Sequence, residues 1–456
     1  MPMNATKTIQ TFTLVWLMAA MAACWPAVAG AETDQLTLGD AIGTALQHNP
    51  EIQAVRYQLD AADSKIVQAR SGLLPQLSVA EKYSRTNSPL WAFGTKLNQE
   101  AITASDFAPD RLNDPDAIDN YNTSLALSWS LFDGGRTWIG LRQAKMGRKA
   151  VDLDLLRAEQ QIIARTAKAY VGMMLAEENS RVILQSLETA QAHFKVVEDR
   201  FHGGLAVKSD VLRAQVRIAD LEQQRLQSLS QVQVAQAMLK AVMGRADDAD
   251  LHLVAPFEKC QPTQGDLNQW IARALGHRPD LKGLQIQEEI AGKEVDRAQA
   301  GHWPSLALQG SYDLNSEDFS DSGESYTVGA MVQLNLYSGQ RISAMAAEAR
   351  AMLAKIKSLR QGMILGIRVE TQKAFFQAQS TWQSIAVARG AVAQAEEGLR
   401  ITGNRYQNGL LTLVSLLDAQ VTFQQASTQL FKALHDYKVA RIELALAAGV
   451  IDETFN

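Results

Sequence analysis

Residues 121–136 read YNTSLALSWSLFDGGR. Leu125, Leu127, Trp129 and Leu131 alternate with Ser124, Ala126, Ser128 and Ser130, the period of two that marks a strand with one wet face. Gly134-Gly135-Arg136 then leads into a proline-free stretch, 137–201, rich in Ala, Leu, Gln, Glu and Arg. These are good helix formers, and some 64 residues of helix would be roughly 95 Å long. Residues 326–341, YTVGAMVQLNLYSGQR, say the same thing again. Tyr326, Val328, Ala330, Val332, Leu334 and Leu336 oppose Thr327, Gly329, Met331, Gln333 and Asn335. Leu336-Tyr337-Ser338-Gly339 answers Leu131-Phe132-Asp133-Gly134, Arg341 answers Arg136, and a second long helix is predicted over 342–406.

The duplication extends outward in both directions. Residues 41–83 match 270–312 without a gap, with Ala45/Ala274, His48/His277, Pro50/Pro279, Pro75/Pro304 and Tyr83/Tyr312 in register. Downstream, Arg200-Phe201 matches Arg405-Tyr406, Gly204-Leu205 matches Gly409-Leu410, and Ala214-Gln215-Val216 matches Ala419-Gln420-Val421. The spacing of the two copies changes only between Tyr83 and Tyr121, so the first copy carries a longer loop there. An internal repeat of this size constrains the architecture before any single element is assigned.

Each long helix ends at a glycine turn, Phe201-His202-Gly203-Gly204-Leu205 or Tyr406-Gln407-Asn408-Gly409-Leu410. Gly204 and Gly409 suit the left-handed position that closes a helix. Second helices over 209–243 and 412–448 complete two antiparallel hairpins with unequal arms. Sevenfold spacing of Leu156, Ile163 and Tyr170, with Ala167 and Met174 alongside, is coiled-coil periodicity. In the last helix Leu417, Val421, Gln424, Thr428 and Phe431 share a stripe that is partly polar. Shorter helices over 37–70 and 266–298 break at Asn49-Pro50 and Arg278-Pro279, where proline restarts a helix.

Four strands are predicted, over 75–85, 121–132, 304–314 and 325–337. Their length and alternation are those of strands that cross an outer membrane. A soluble sheet lying on the helices is the rival reading. Open sheet edges cannot sit in lipid, and four strands are too few to close a barrel, for which about eight is the lower limit. In a membrane, several copies must therefore share one barrel, and three copies would give twelve strands. The expected fold class is mainly α with a membrane β-barrel part.

The chain has 456 residues, with 44 Lys+Arg against 49 Asp+Glu. That mild acidity argues against a nucleic-acid partner. Lys7, the apolar stretch 12–23 and the small residues Ala27-Val28-Ala29 or Ala29-Gly30-Ala31 read as a cleaved signal peptide, 1–31. Cys24 after Met21-Ala22-Ala23 loosely resembles a lipoprotein box, an alternative fate for the leader. Cys260 is the only other cysteine, so neither an intramolecular disulfide in the mature chain nor a cysteine metal cluster is expected. No run of 18 apolar residues follows the leader. The domain reading is a first repeat over 32–245, a linker or equatorial segment over 246–265, a second repeat over 266–450 and a tail over 451–456.

Several motifs together carry a family resemblance. They are the Asn49-Pro50 break, the Pro75-Gln76-Leu77 strand entry, Leu131-Phe132-Asp133-Gly134-Gly135-Arg136, the two Arg-Phe/Tyr-x-x-Gly-Leu turns and Leu416-Leu417-Asp418-Ala419-Gln420. Over residues 36–450 the chain resembles the TolC-like outer-membrane efflux proteins. The resemblance implies a homotrimer, with a twelve-stranded barrel in outer-membrane lipid continuous with an α-helical tunnel through the periplasm of a Gram-negative bacterium. It implies a periplasmic adaptor and an inner-membrane transporter as partners, and an efflux or type I secretion duct for small molecules or polypeptides. The longer 86–120 loop would lie outside the cell, and its Trp91 and Phe93 suit either a surface contact or membrane-interface anchors. A periplasmic coiled-coil scaffold or adaptor is the alternative from another class.

By the same resemblance the turns Gly204-Leu205 and Gly409-Leu410 would dock on the adaptor. In the bland reading the glycines only cap helices and the leucines cover the turns. Asp418 would contribute to an acidic ring at the tunnel entrance, or would only complement a helix dipole. Asp210 and Tyr406 fall where the family links neighbouring helices at the closed entrance. Ser415 and Leu411 stand where the family often has an acid and an arginine, which weakens any ring and any arginine-based closing link. His48 and His277 lack companion ligands for a metal, and Gly203-Gly204 lacks the strand and Lys-Ser/Thr of a phosphate loop. No catalytic constellation, no cofactor site and no enzyme activity is expected.

Overall fold

A computed structural model describes residues 35–246, 250–254, 257 and 260–452. The leader, its cleavage sites, Cys24 and the last four residues lie outside the described residues. The first repeat runs β1 (Gln35–Leu36), α1 (Leu38–His48), α2 (Pro50–Ser71), β2 (Gln76–Thr86), α3 (Pro89–Asn98), a short 3₁₀ turn (Ala104–Phe107), α4 (Pro109–Asn113), β3 (Ile118–Asp133), α5 (Arg136–His202) and α6 (Lys208–Met243). After β4 (His252–Leu253) the second repeat runs α7 (Leu267–His277), α8 (Pro279–Gln299), β5 (Ser305–Ser316), β6 (Gly323–Gln333), α9 (Arg341–Gln407) and α10 (Leu413–Ala448). At 67 residues each, α5 and α9 are about 100 Å long.

The helix breaks have a mechanical purpose. In each repeat the second hairpin helix returns from the tip and ends against the start of the short helix that continues toward the sheet. Gly244 closes α6 in the left-handed region at φ +72°, and a side chain there would meet the His48 carbonyl oxygen at 2.5 Å. Asn49 bridges the two helix ends. Its Nδ2 donates to the Val242 carbonyl of α6 (2.7 Å), and its Oδ1 accepts from the Glu51 N–H of α2 (2.8 Å). The second repeat repeats the donor half of this joint. Gly449 ends α10 at φ +69°, pressed against Arg278, and Arg278 Nη1 donates to the Ala447 carbonyl. Helix α6 continued by α2, and α10 continued by α8, thereby run alongside the unbroken α5 and α9.

The main core sits at this level, halfway along the bundle. Tyr170, Met173, Leu239, Met243, Leu434 and Tyr437 are almost fully buried there. The Tyr437 hydroxyl donates to the Gln261 carbonyl and the Tyr170 hydroxyl to that of Leu36. The chain start and the linker join this girdle through the parallel pairing of β1 with β4, two residues each. The sevenfold stripe of α5 is largely met, since Ile163, Ala167, Tyr170 and Met174 are buried, while Leu156 is exposed. In α10 the buried line is Leu416, Gln420, Ser427 and Leu434, beside the half-buried stripe read from the sequence.

The four longer strands form one antiparallel sheet in the order β2-β3-β5-β6. Register puts Val79, Leu125, Tyr312 and Tyr326 in one row and Leu77, Leu127, Gly310 and Val328 in the next. Two expectations are corrected. The pairing of β3 with β5 shifts between Ser130 and Phe132. This bulge adds a residue and changes the phase, so Phe132 rather than Leu131 continues the face of Trp129. Strand β6 ends at Gln333, not Tyr337. Its partner Ser305 is the first residue of β5, after Pro304, and Leu336 and Tyr337 leave the ladder exposed.

Candidate functional site

The two hairpin tips are built alike. Gly204 and Gly409 take φ of +74° and +73°. The Leu205 N–H donates to the Arg200 carbonyl (2.8 Å) and the Gly204 N–H to that of Phe201 (3.0 Å). In the second tip Leu410 donates to Arg405 (2.9 Å) and Gly409 to Tyr406 (3.0 Å). These bonds satisfy the last carbonyls of each long helix. They also turn the following leucine outward: Leu205 is 79% exposed and Leu410 72%. The leucines therefore do not cover the turns. They are free apolar groups at the far end of the bundle.

Behind the turns the two hairpins meet. Val197, Val211, Ala214, Tyr406, Leu413 and Leu416, drawn from all four long helices, form one buried cluster. Tyr406 is 5% exposed, and its ring lies under the Arg200 guanidinium at 4.9 Å. Arg200 Nη2 also donates to the Gln407 carbonyl (2.5 Å), joining the end of α5 to the end of α9. Burial raises the Tyr406 hydroxyl pKa, Arg200 opposes that, and the nearby Asp210 charge adds to it. Asp210 thus stands at the same tip as Tyr406, but the direct neighbour of the tyrosine is Arg200. Reasoning from sequence gave Arg200 no role, although its place in the repeated Arg-Phe/Tyr-x-x-Gly-Leu turn was the available signal.

Asp210 lies in the first turn of α6, whose N-cap Val207 offers no side-chain acceptor. Asp418 is different. Helix α10 is capped by Thr412 and has no acid in its first turn. Asp418 comes one turn later and is exposed, where the dipole effect has faded. A polar layer crosses the bundle just beyond the tip core. Arg217 donates to Gln424 Oε1 (2.5 Å), and Gln424 donates to Gln224 Oε1 (2.8 Å). Gln420 is buried with both side-chain polar atoms unpartnered, beside a cavity lined by Leu221, Leu399 and Phe423.

His48 and His277 serve their own helices, each with Nδ1 at the carbonyl four residues earlier, Thr44 (3.2 Å) and Arg273 (3.0 Å). Among the described residues no group of three or more His, Cys, Asp or Glu could hold a metal. No helix among them is long and apolar enough to cross a membrane.

The sheet presents two unlike faces. One carries Leu77, Val79, Tyr326, Val328 and Val332, each at least 66% exposed. The other carries Ser78, Ala80, Ser124, Ser128, Gln309 and Ser311 by register. Strands β2 and β6 each pair on one side only, which leaves two open edges.

A family model described as "Outer membrane efflux protein" matches residues 41–245 and 270–450, the two repeats in turn. The outer membrane protein TolC of Vibrio cholerae is 23% identical over 91% of this chain and 91% of its own length. The alkaline protease secretion protein AprF of Pseudomonas aeruginosa is 25% identical over 92% of this chain and 86% of its own. The solved outer membrane protein VceC of Vibrio cholerae superposes with a TM-score of 0.72 at 21% identity, covering 90% of this chain and 96% of that one.

Proposed function

The chain belongs to the outer membrane efflux protein family, a family of channel and transport proteins rather than enzymes, and from that premise we propose that three copies close into one exit duct. The observation that carries this reading is the four-stranded sheet with an exposed apolar face and two open edges. Unpaired strand edges are not tolerated in lipid. Successive strands run antiparallel, so β6 of one copy runs opposite to β2 of the next and can pair with it. Two copies would give eight strands, a barrel filled by its own side chains. Three give twelve, the smallest multiple of four above that size, with the small polar residues lining the lumen. The long helices, three copies of each, continue the lumen as a tunnel.

The duct sits in the outer membrane, with the helical part in the periplasm. Exposed apolar groups on α6 (Val216, Leu226, Val234) and α9 (Leu359, Val369, Phe376) are the surfaces by which copies pack on each other. The tips receive a periplasmic adaptor on Leu205 and Leu410, and an inner-membrane transporter supplies the energy. Arg200, Tyr406, Asp210 and the Asp418 carboxylates form the entrance. The cargo is small molecules or polypeptides chosen upstream. Reconstitution of the purified protein in planar bilayers tests the reading. Discrete, long-lived conductance steps are expected, and their absence from protein inserted in the bilayer would contradict it.

A further inference from the structure

The residues between β2 and β3, 87–117, far exceed the six that join β5 to β6, 317–322. They do not project away from the sheet. Helix α3 packs against β3 and against β6, although the loop leaves from β2 at the opposite edge. The loop therefore crosses the sheet from one edge to the other.

It crosses on the polar face. Gln99, at the end of α3, is buried, and its Nε2 donates to the Asp119 carbonyl (2.8 Å) and to Asn120 Oδ1 (3.0 Å). Asn120 Nδ2 donates to Asn315 Oδ1 on β5 (2.9 Å), which also accepts from Asn122 (3.1 Å). Register places Asn120, Asn122 and Asn315 on the side of Ser124 and Ser128. Asn120 and Asn315 are 8% and 4% exposed, whereas Ser128 and Gln309 farther along the same face lie open. At the far edge the Asn98 carbonyl sits where a side chain on Gly323 would be, 2.2 Å from that position. The loop is also braced internally. Lys96 Nζ meets Asp106 Oδ1 at 2.9 Å, and Asp106 accepts from the Thr103 N–H and hydroxyl, both at 2.8 Å.

We infer that residues 87–117 are a strap folded over the lumen side of the outer mouth, so that three straps set the size limit at the exit. The inference rests on the duct reading, which makes the polar face the lumen. A narrow point at the outer end is separate from the tip entrance, and it limits the size of what leaves.

The test is polymer exclusion in planar bilayers, with polyethylene glycols added to one side at a time. Two variants are compared with the wild-type trimer. In one, residues 89–113 are replaced by two glycines. In the other, Gln99→Ala is combined with Gly323→Val, which removes one anchor and drives the Asn98 carbonyl off its seat. The largest polymer that enters from the extracellular side should rise about twofold in mass in either variant, with entry from the periplasmic side unchanged. An unchanged extracellular limit in the channels the variants form would overturn the strap and leave the duct standing. Wild-type protein that forms no channel would overturn both.

Discussion

Asn49 joins two helices through one side chain, with its amide nitrogen on a terminal carbonyl of α6 and its oxygen on the first turn of α2. Asn49→Ala removes an N-cap and leaves a carbonyl at the joint unpaired, so a loss of about 1–2 kcal/mol is expected. A lower thermal unfolding midpoint than wild type would register it. At the tip, Arg200 holds Gln407 by a hydrogen bond and Tyr406 by its ring. Arg200→Ala loses both contacts, and Tyr406→Phe keeps the ring. Conductance of the purified channel should therefore rise more in Arg200→Ala than in Tyr406→Phe, and equal effects would take Arg200 out of the closing contact. Little of this was legible beforehand. Asn49-Pro50 read correctly as a helix restart, because proline fixes the first-turn geometry whatever surrounds it. That Asn49 reaches Val242, 193 residues away, is a property of the assembled repeat.

At the scale of elements, the long helices were legible almost to their ends. No proline interrupts them, and a glycine that must take positive φ closes each one. The strands were legible by alternation, but the end of β6 and the phase of β3 were not. The end of β6 is set by where its partner begins after Pro304, and the phase change in β3 depends on an unpaired residue that leaves the sequence pattern intact. Strands β1 and β4, two residues each, are too short to carry any period. The buried line of α10 was missed because Gln420 and Ser427 interrupt it with polar groups. Gly244→Ala would force a side chain into the left-handed region and into the His48 carbonyl. It should destabilise by more than the roughly 1 kcal/mol of an unfavourable backbone alone, and the same change at Gly43, which meets nothing, is the control. Leu205→Asp or Leu410→Asp alters only exposed tip surface. Export should be lost while the oligomer stays intact, and normal export by these variants would remove the tips from adaptor docking.

For the whole molecule, the second-repeat joint adds a dependence on acid. Asp280 lies between Arg278 (2.6 Å) and Arg157 (3.8 Å). Burial works to raise its pKa, but hydrogen bonds and charge from Arg278 outweigh it and hold the carboxyl below its usual value. A folded-state pKa below the unfolded one gives stability that is complete above the unfolded value, about 3.9, and is lost as pH falls through the lower folded value. The thermal midpoint should drop as pH falls below about 4, and Asp280→Asn should flatten part of that slope. The duct itself was legible only through an impossibility, four membrane-length strands that cannot close alone, together with motifs that resembled a family. The strap and the shared joint are contacts between distant segments and had no local signature, whereas Arg200 was marked only by its place in the repeated turn. The most direct measurement is the protein mass of the purified complex in mild detergent, by light scattering corrected for bound detergent. The shared barrel predicts three chains; a stable monomer would leave β2 and β6 unpaired in lipid and contradict it.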